Sequence, residues 1–224
     1  MDFDRSIGMP RGEQSVSDYL QRVSDAYEGE ITGQVFFSTM AAHHPHDKYA
    51  RRVFLFLNRL EQQTGEILQA VLVRHGAPVP QRDKAATIGR CVAVAMSGLP
   101  WDQLVAAMTK RIGPAVVRYD LLAVEAPQSD AAEIGLLADH EHALEAFVTF
   151  RPARSYEALV PVIRCLRATS KYVDAMRSQS LDRTLPADNQ DIRGHSGPAI
   201  SPVPRRSPEL LYDLPALTSC VAAR

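Results

Sequence analysis

The stretch Leu137–Leu144, LADHEHAL, sets His140, Glu141 and His142 side by side in an otherwise apolar run. Imidazole and carboxylate are the side chains that ligate transition metals and exchange protons near neutral pH. On a helix, however, consecutive residues point about 100° apart, so neighbours in sequence do not share a face. On the apolar arc of Leu136, Leu137, Leu144, Phe147 and Val148, His140 falls at the centre, Glu141 at the edge and His142 outside. Glu133 lies on the same face as His140, two turns earlier. Leu144 replaces the second histidine of the zinc-binding HExxH pattern, so one-face zinc ligation is absent.

The same phasing finds partners elsewhere. A first helix has the stripe Val16, Leu20, Val23, Tyr27, Phe37 and Ala41, with Glu30 and Gln34 inside it. A second buries Val53, Leu57, Leu60, Thr64, Leu68 and Val71, with Glu61 on the flank. A helix from Trp101 turns Val105, Met108, Ile112, Val116, Tyr119 and Leu122 inward, and Tyr119 is the central polar group. A carboxylate on an apolar face is costly unless it is paired, protonated or bound to metal. The candidate metal ligands are therefore Glu30, Glu61, Glu133, His140 and Glu141, with Tyr27, Gln34, Thr64 and Tyr119 lining a pocket.

Punctuation defines the elements that must position these groups. Ser15 or Ser17 opens the first helix, which ends at HHPH; Asp47 opens the second, and Gly76 closes it. DKAATIGRCVAVAMSGL predicts a shorter helix, and APQSD turns the chain into the helix of the opening motif. Ser155 caps a last helix that Pro161 bends or splits. The expected fold is all-α: an antiparallel four-helix bundle with extra short helices over residues 15–180. A flexible tail over 1–14 and a Pro-rich, disordered tail over 181–224 flank it. Phe36, Phe54 and Val73 project away from this core and need covering.

Segments such as YEGEITGQVFFSTMA, RLEQQTGEILQAVLVRHG, GLPWDQL and HEHALEAF resemble those of a small bacterial group in the ferritin-like superfamily, over about residues 15–168. The resemblance implies a ferritin-like bundle holding iron. Glu30 and Glu61 match the carboxylates of the first two helices, and Glu133 or Glu141 with His140 matches the remaining ligands. The set is incomplete: Thr64 stands where a histidine follows Glu61, and Tyr119 where a bridging carboxylate is needed. With Glu141 as ligand, Leu144 takes a further histidine's place. One metal or an asymmetric pair is implied, iron first and manganese second, with dioxygen-dependent oxidation of a small molecule as the chemistry.

Composition narrows the alternatives. Lys plus Arg number 25 against 26 Asp plus Glu, so no global field favours nucleic acid or an anionic membrane. The acidic N-terminus lacks a signal-peptide pattern, and the apolar runs are too short for a bilayer, which predicts a cytoplasmic protein. Cys91, Cys165 and Cys220 are odd in number and form no CxxC, as suits reduced thiols. His43, His44 and His46 read as surface imidazoles at a helix C-terminus. The expected partners are a small-molecule substrate and a second copy of the chain, with no nucleic acid and no membrane. The competing expectation is a metal-free bundle that acts as an interaction or scaffold protein, its polar core satisfied by internal hydrogen bonds.

Overall fold

The computed structural model describes residues 11–150 and 154–184, with side chains over 16–150 and 154–178. The helices are α1 (Arg11–His43), α2 (Lys48–Arg74), α3 (Arg82–Met96), α4 (Trp101–Glu125), α5 (Ala131–Thr149) and α6 (Val160–Thr184), with a 3₁₀ turn at Tyr156–Leu159. Among the described residues there is no strand. α1 starts before Ser15, and the last helix predicted after Ser155 is α6, at 25 residues as long as α4 and not split at Pro161. The remainder of both predicted tails lies outside the described residues.

The predicted boundaries have physical causes. Asp47 accepts a hydrogen bond from the Ala50 amide at 3.0 Å, capping α2. Gly76 ends α2 with φ of +65°, while the Ala77 amide reaches back to the Leu72 carbonyl at 2.9 Å. That pairing needs the left-handed backbone that glycine adopts without cost. Ser155 caps the 3₁₀ turn through the Glu157 amide, and Pro161 sits in the first turn of α6, where its missing N–H is harmless.

α1 packs against α2, α3 and α4, while α5 packs against α2 and α4. Residue pairs give the directions. Asn58 donates to the Gln34 carbonyl and Gly65 faces Glu30, so α1 and α2 run antiparallel. Arg22 pairs with Glu125 and Gly29 faces Tyr119, which makes α1 antiparallel to α4. Arg74 meets Glu133 while Glu61 meets His140, so α2 opposes α5. α3 thus lies in the link between two helices, α2 and α4, that point the same way. α6 is tied to α2, with the Thr169 hydroxyl donating to Gln63 Oε1 at 2.8 Å and Gln63 Nε2 donating to Ser170 at 2.7 Å.

Two clusters form the core. One gathers Phe37, Met40, Phe54, Leu57, Met108, Leu144, Phe147 and Val162; the other gathers Tyr19, Tyr27, Leu68, Val71, Leu122, Ile134 and Leu137. The second-helix stripe is buried as predicted, but Val16 is exposed. Phe36 and Phe54, expected to face outward, are both buried. Phe54 lies within 6.3 Å of the Phe37 ring and 6.0 Å of Trp101, so the start of α4 covers it. Val73 is exposed, as are Val117, Leu121 and Val124 on α4.

α3 docks closely because Gly89 faces α1: a Cβ there would run into the Thr32 carbonyl oxygen, with the Phe36 nitrogen 3.1 Å away. Backbone cannot yield as a side-chain tip does. Gly89→Ala is therefore expected to destabilise the fold by about 1–3 kcal/mol despite alanine's better helix propensity. A urea midpoint equal to or above the wild-type value would refute this close approach.

Candidate metal centre

Glu30 from α1, Glu61 from α2 and His140 from α5 converge. Each offers one ligand atom, and these atoms lie within 4.8 Å of one another. All three side chains are buried. His140 Nδ1 is 3.2 Å from Glu30 Oε2, and His140 Nε2 is 3.5 Å from Glu61 Oε1. Neither contact has the alignment of a hydrogen bond, and Glu30 Oε2 and both ring nitrogens have no hydrogen-bond partner. Buried polar atoms left in this condition are costly, and of the two ring nitrogens, which face different carboxylates, one at most can serve a single ion.

Glycines make the convergence possible. Gly33, one turn after Glu30, leaves room that the Glu61 carboxylate occupies, since a Cβ there would overlap it. A Cβ added at Gly65 would lie 3.4 Å from that of Glu30. Glu141 is buried beside the centre and, with Glu30, Glu61 and Tyr119, lines one cavity. Burial pushes Glu30 up to about 8, against the lowering pull of His140, and Glu61 adds to the rise. Burial likewise raises Glu141 to about 7. For His140 burial works downward, but the Glu30 and Glu61 carboxylates outweigh it and hold the ring well above its ordinary value.

The other predicted residues divide. Glu133 is buried but is not at the centre: it accepts from Arg74 Nη1 at 2.7 Å. It shares His140's face but lies about 10 Å along the axis, since seven residues rise by that much, so angular phasing alone misplaces it. Gln34 is also not a pocket residue; its Oε1 accepts from Arg82 at 2.6 Å. Thr64 is buried, and its hydroxyl donates to the Leu60 carbonyl of its own helix. Tyr27 is buried in the Tyr19 cluster. Tyr119 borders the cavity with its hydroxyl near Gly29, and burial pushes its phenol far up. His142 is outside, as phased, paired with Asp120 at 2.9 Å.

Sequence reasoning missed the buried cluster at the start of α5. Asp130 accepts hydrogen bonds from Tyr19 at 2.9 Å, Arg74 at 2.8 Å and Ser129 at 2.9 Å, and His75 Nε2 lies 2.8 Å away. It reads in sequence as an ordinary turn residue before a helix. The only signal was an acidic residue placed to N-cap α5, and the side chain makes no such cap.

Comparison of the chain with protein-family models, with curated proteins and with solved structures finds no match. No helix among the described residues is long and apolar enough to cross a membrane. Cys165 is buried, Cys91 is half-buried, and neither is in a disulfide.

Proposed function

We propose that the chain is a ferritin-like metal protein in which α1, α2, α4 and α5 form the four-helix bundle and Glu30, Glu61 and His140 hold one iron ion. Manganese suits the same oxygen and nitrogen donors. The observation that carries this reading is the orphaned set at the centre: Glu30 Oε2 and both His140 nitrogens are buried and unbonded, beside a second buried carboxylate. The antiparallel pairing of bundle neighbours, with α3 in the long link, supports the ferritin-like arrangement.

Bound iron supplies one-electron chemistry with dioxygen, so the activity proposed is oxidation or hydroxylation of a small molecule. Glu30, Glu61 and His140 would hold the ion. Glu141, at the wall of the adjoining cavity, exchanges a proton near neutral pH. A homodimer belongs to this proposal, and its contact face would be the exposed Val117, Leu121 and Val124 stripe.

A second reading has its own support. Each ring nitrogen faces a different carboxylate, as a protonated imidazole bridging Glu30 and Glu61 would, in a metal-free interaction protein.

Metal analysis separates the two. Protein expressed with iron is expected to carry about one ion per chain, and Glu61→Gln and His140→Gln are each expected to lower that content at least tenfold. Substoichiometric metal, unchanged by either substitution, would sink the metal reading. The pH response has a definite sign. Glu30 and Glu141 are raised by the fold, so the metal-free protein loses stability from their ordinary value of 4.5 up to about 8. A cation must displace those protons, so the increase in melting temperature on adding iron(II) anaerobically should be larger at pH 8 than at pH 6.

A further inference from the structure

A cavity of ≈ 180 Å³ opens between α1, α3 and α4 and ends at the candidate centre. Phe36, Phe37, Met96, Met108, Ile112 and Leu144 supply apolar walls, and Glu30, Glu61 and Glu141 stand at the inner end. Arg111 also lines it and is exposed, so it marks the solvent side. No ion pair or hydrogen bond engages Arg111 among the described residues, and among the arginines only Arg111 lines this cavity.

Size, polarity and charge order define a ligand. An apolar cavity of about 150 Å³ holds a benzene ring, so this one takes a ring or short chain with one small substituent. At the inner end of the metal-free chain an anion meets three carboxyl groups and no basic side chain of the cavity lining. The mouth attracts one, because a guanidinium forks onto a carboxylate through paired hydrogen bonds.

We propose that this cavity binds a small monocarboxylate with an apolar body, the carboxylate on Arg111 and the apolar end against Glu30 and Glu61. The assignment names the substrate class of the proposed oxidation and to that extent rests on the metal reading. The carbon farthest from the carboxylate is the one presented to the centre.

Benzoate is the test ligand, with benzyl alcohol and benzylamine as neutral and cationic controls, titrated by calorimetry into the full chain with and without iron. Benzoate is expected to bind saturably to both forms, more tightly than either control. Arg111→Gln, at an exposed position, should weaken benzoate at least tenfold and change benzyl alcohol less than twofold. Val92→Trp, which fills the half-buried α3 wall, should abolish binding of both, with circular dichroism reporting the fold. Benzoate affinity unchanged by Arg111→Gln, benzoate binding retained in folded Val92→Trp, or no saturable binding to the wild-type chain at millimolar benzoate overturns the proposal. Failure of the metal reading is separately visible: a chain that binds benzoate but no iron keeps the pocket and loses the oxidase, and an iron-loaded chain that ignores benzoate does the reverse.

Discussion

His140→Ala in the metal-free protein is expected to lower the unfolding free energy by about 3–5 kcal/mol, the range for removing one partner from a buried charged set. The ring is fully buried between Glu30 and Glu61, and alanine leaves their buried carboxyl groups without the cation between them. Overlaid urea transitions would measure the loss. The sign of its pH dependence follows from the raised value of His140. That contribution is fully present below the ordinary imidazole value of 6.5 and fades as pH rises through the value in the fold. The gap between wild type and variant should therefore be wider at pH 6 than at pH 9. A variant as stable as wild type at pH 6 would mean that the imidazole does not hold the two carboxyl groups.

Asp130→Asn is expected to cost about 3 kcal/mol at pH 7, although it lies outside the candidate centre. Asp130 is completely buried and receives Tyr19 from α1, Arg74 from the last turn of α2, and Ser129 beside it. Burial alone would raise its pKa, but hydrogen bonds from Ser129, Tyr19, His75 and Arg74 together hold it below the ordinary 3.8. Its contribution is thus complete above 3.8 and is lost as pH falls through the depressed value. The difference between Asp130→Asn and wild type should shrink as pH falls below 3.8 and through the depressed value, where the wild-type carboxylate is itself protonated. A pH-independent difference would show that shape rather than charge matters there. Iron content should be unaffected, which sets this variant apart from His140→Gln.

Local rules explain what could be read from the chain. Helix ends at Asp47, Gly76 and Ser155 depend on capping within a few residues, and the stripe from Val53 to Val71 depends on one helical period. Glu30, Glu61 and His140 were legible because an ionisable residue on an apolar arc is conspicuous. What failed depends on distances between helices. Periodicity gives an angle about the axis but no position along it, so Glu133 was grouped with His140 when Arg74 claims it. Phe54 was read as outward because nothing in its own helix reveals that Trp101 covers it. The space at Gly33 that admits Glu61, and the unpaired Arg111 at the cavity rim, exist only once two or more helices are assembled.

The three converging residues also constrain when the site can come into being. Glu30 and Glu61 belong to the hairpin of α1 and α2, while His140 belongs to the separate hairpin of α4 and α5. Each hairpin closes through contacts near in sequence, which form early, whereas docking one on the other requires closing a long loop. On the proposed metal reading a cation would find no complete ligand set in either half and would not act as a nucleus. It would slow the separation of docked halves far more than it speeds their meeting, so its signature belongs in the unfolding rate.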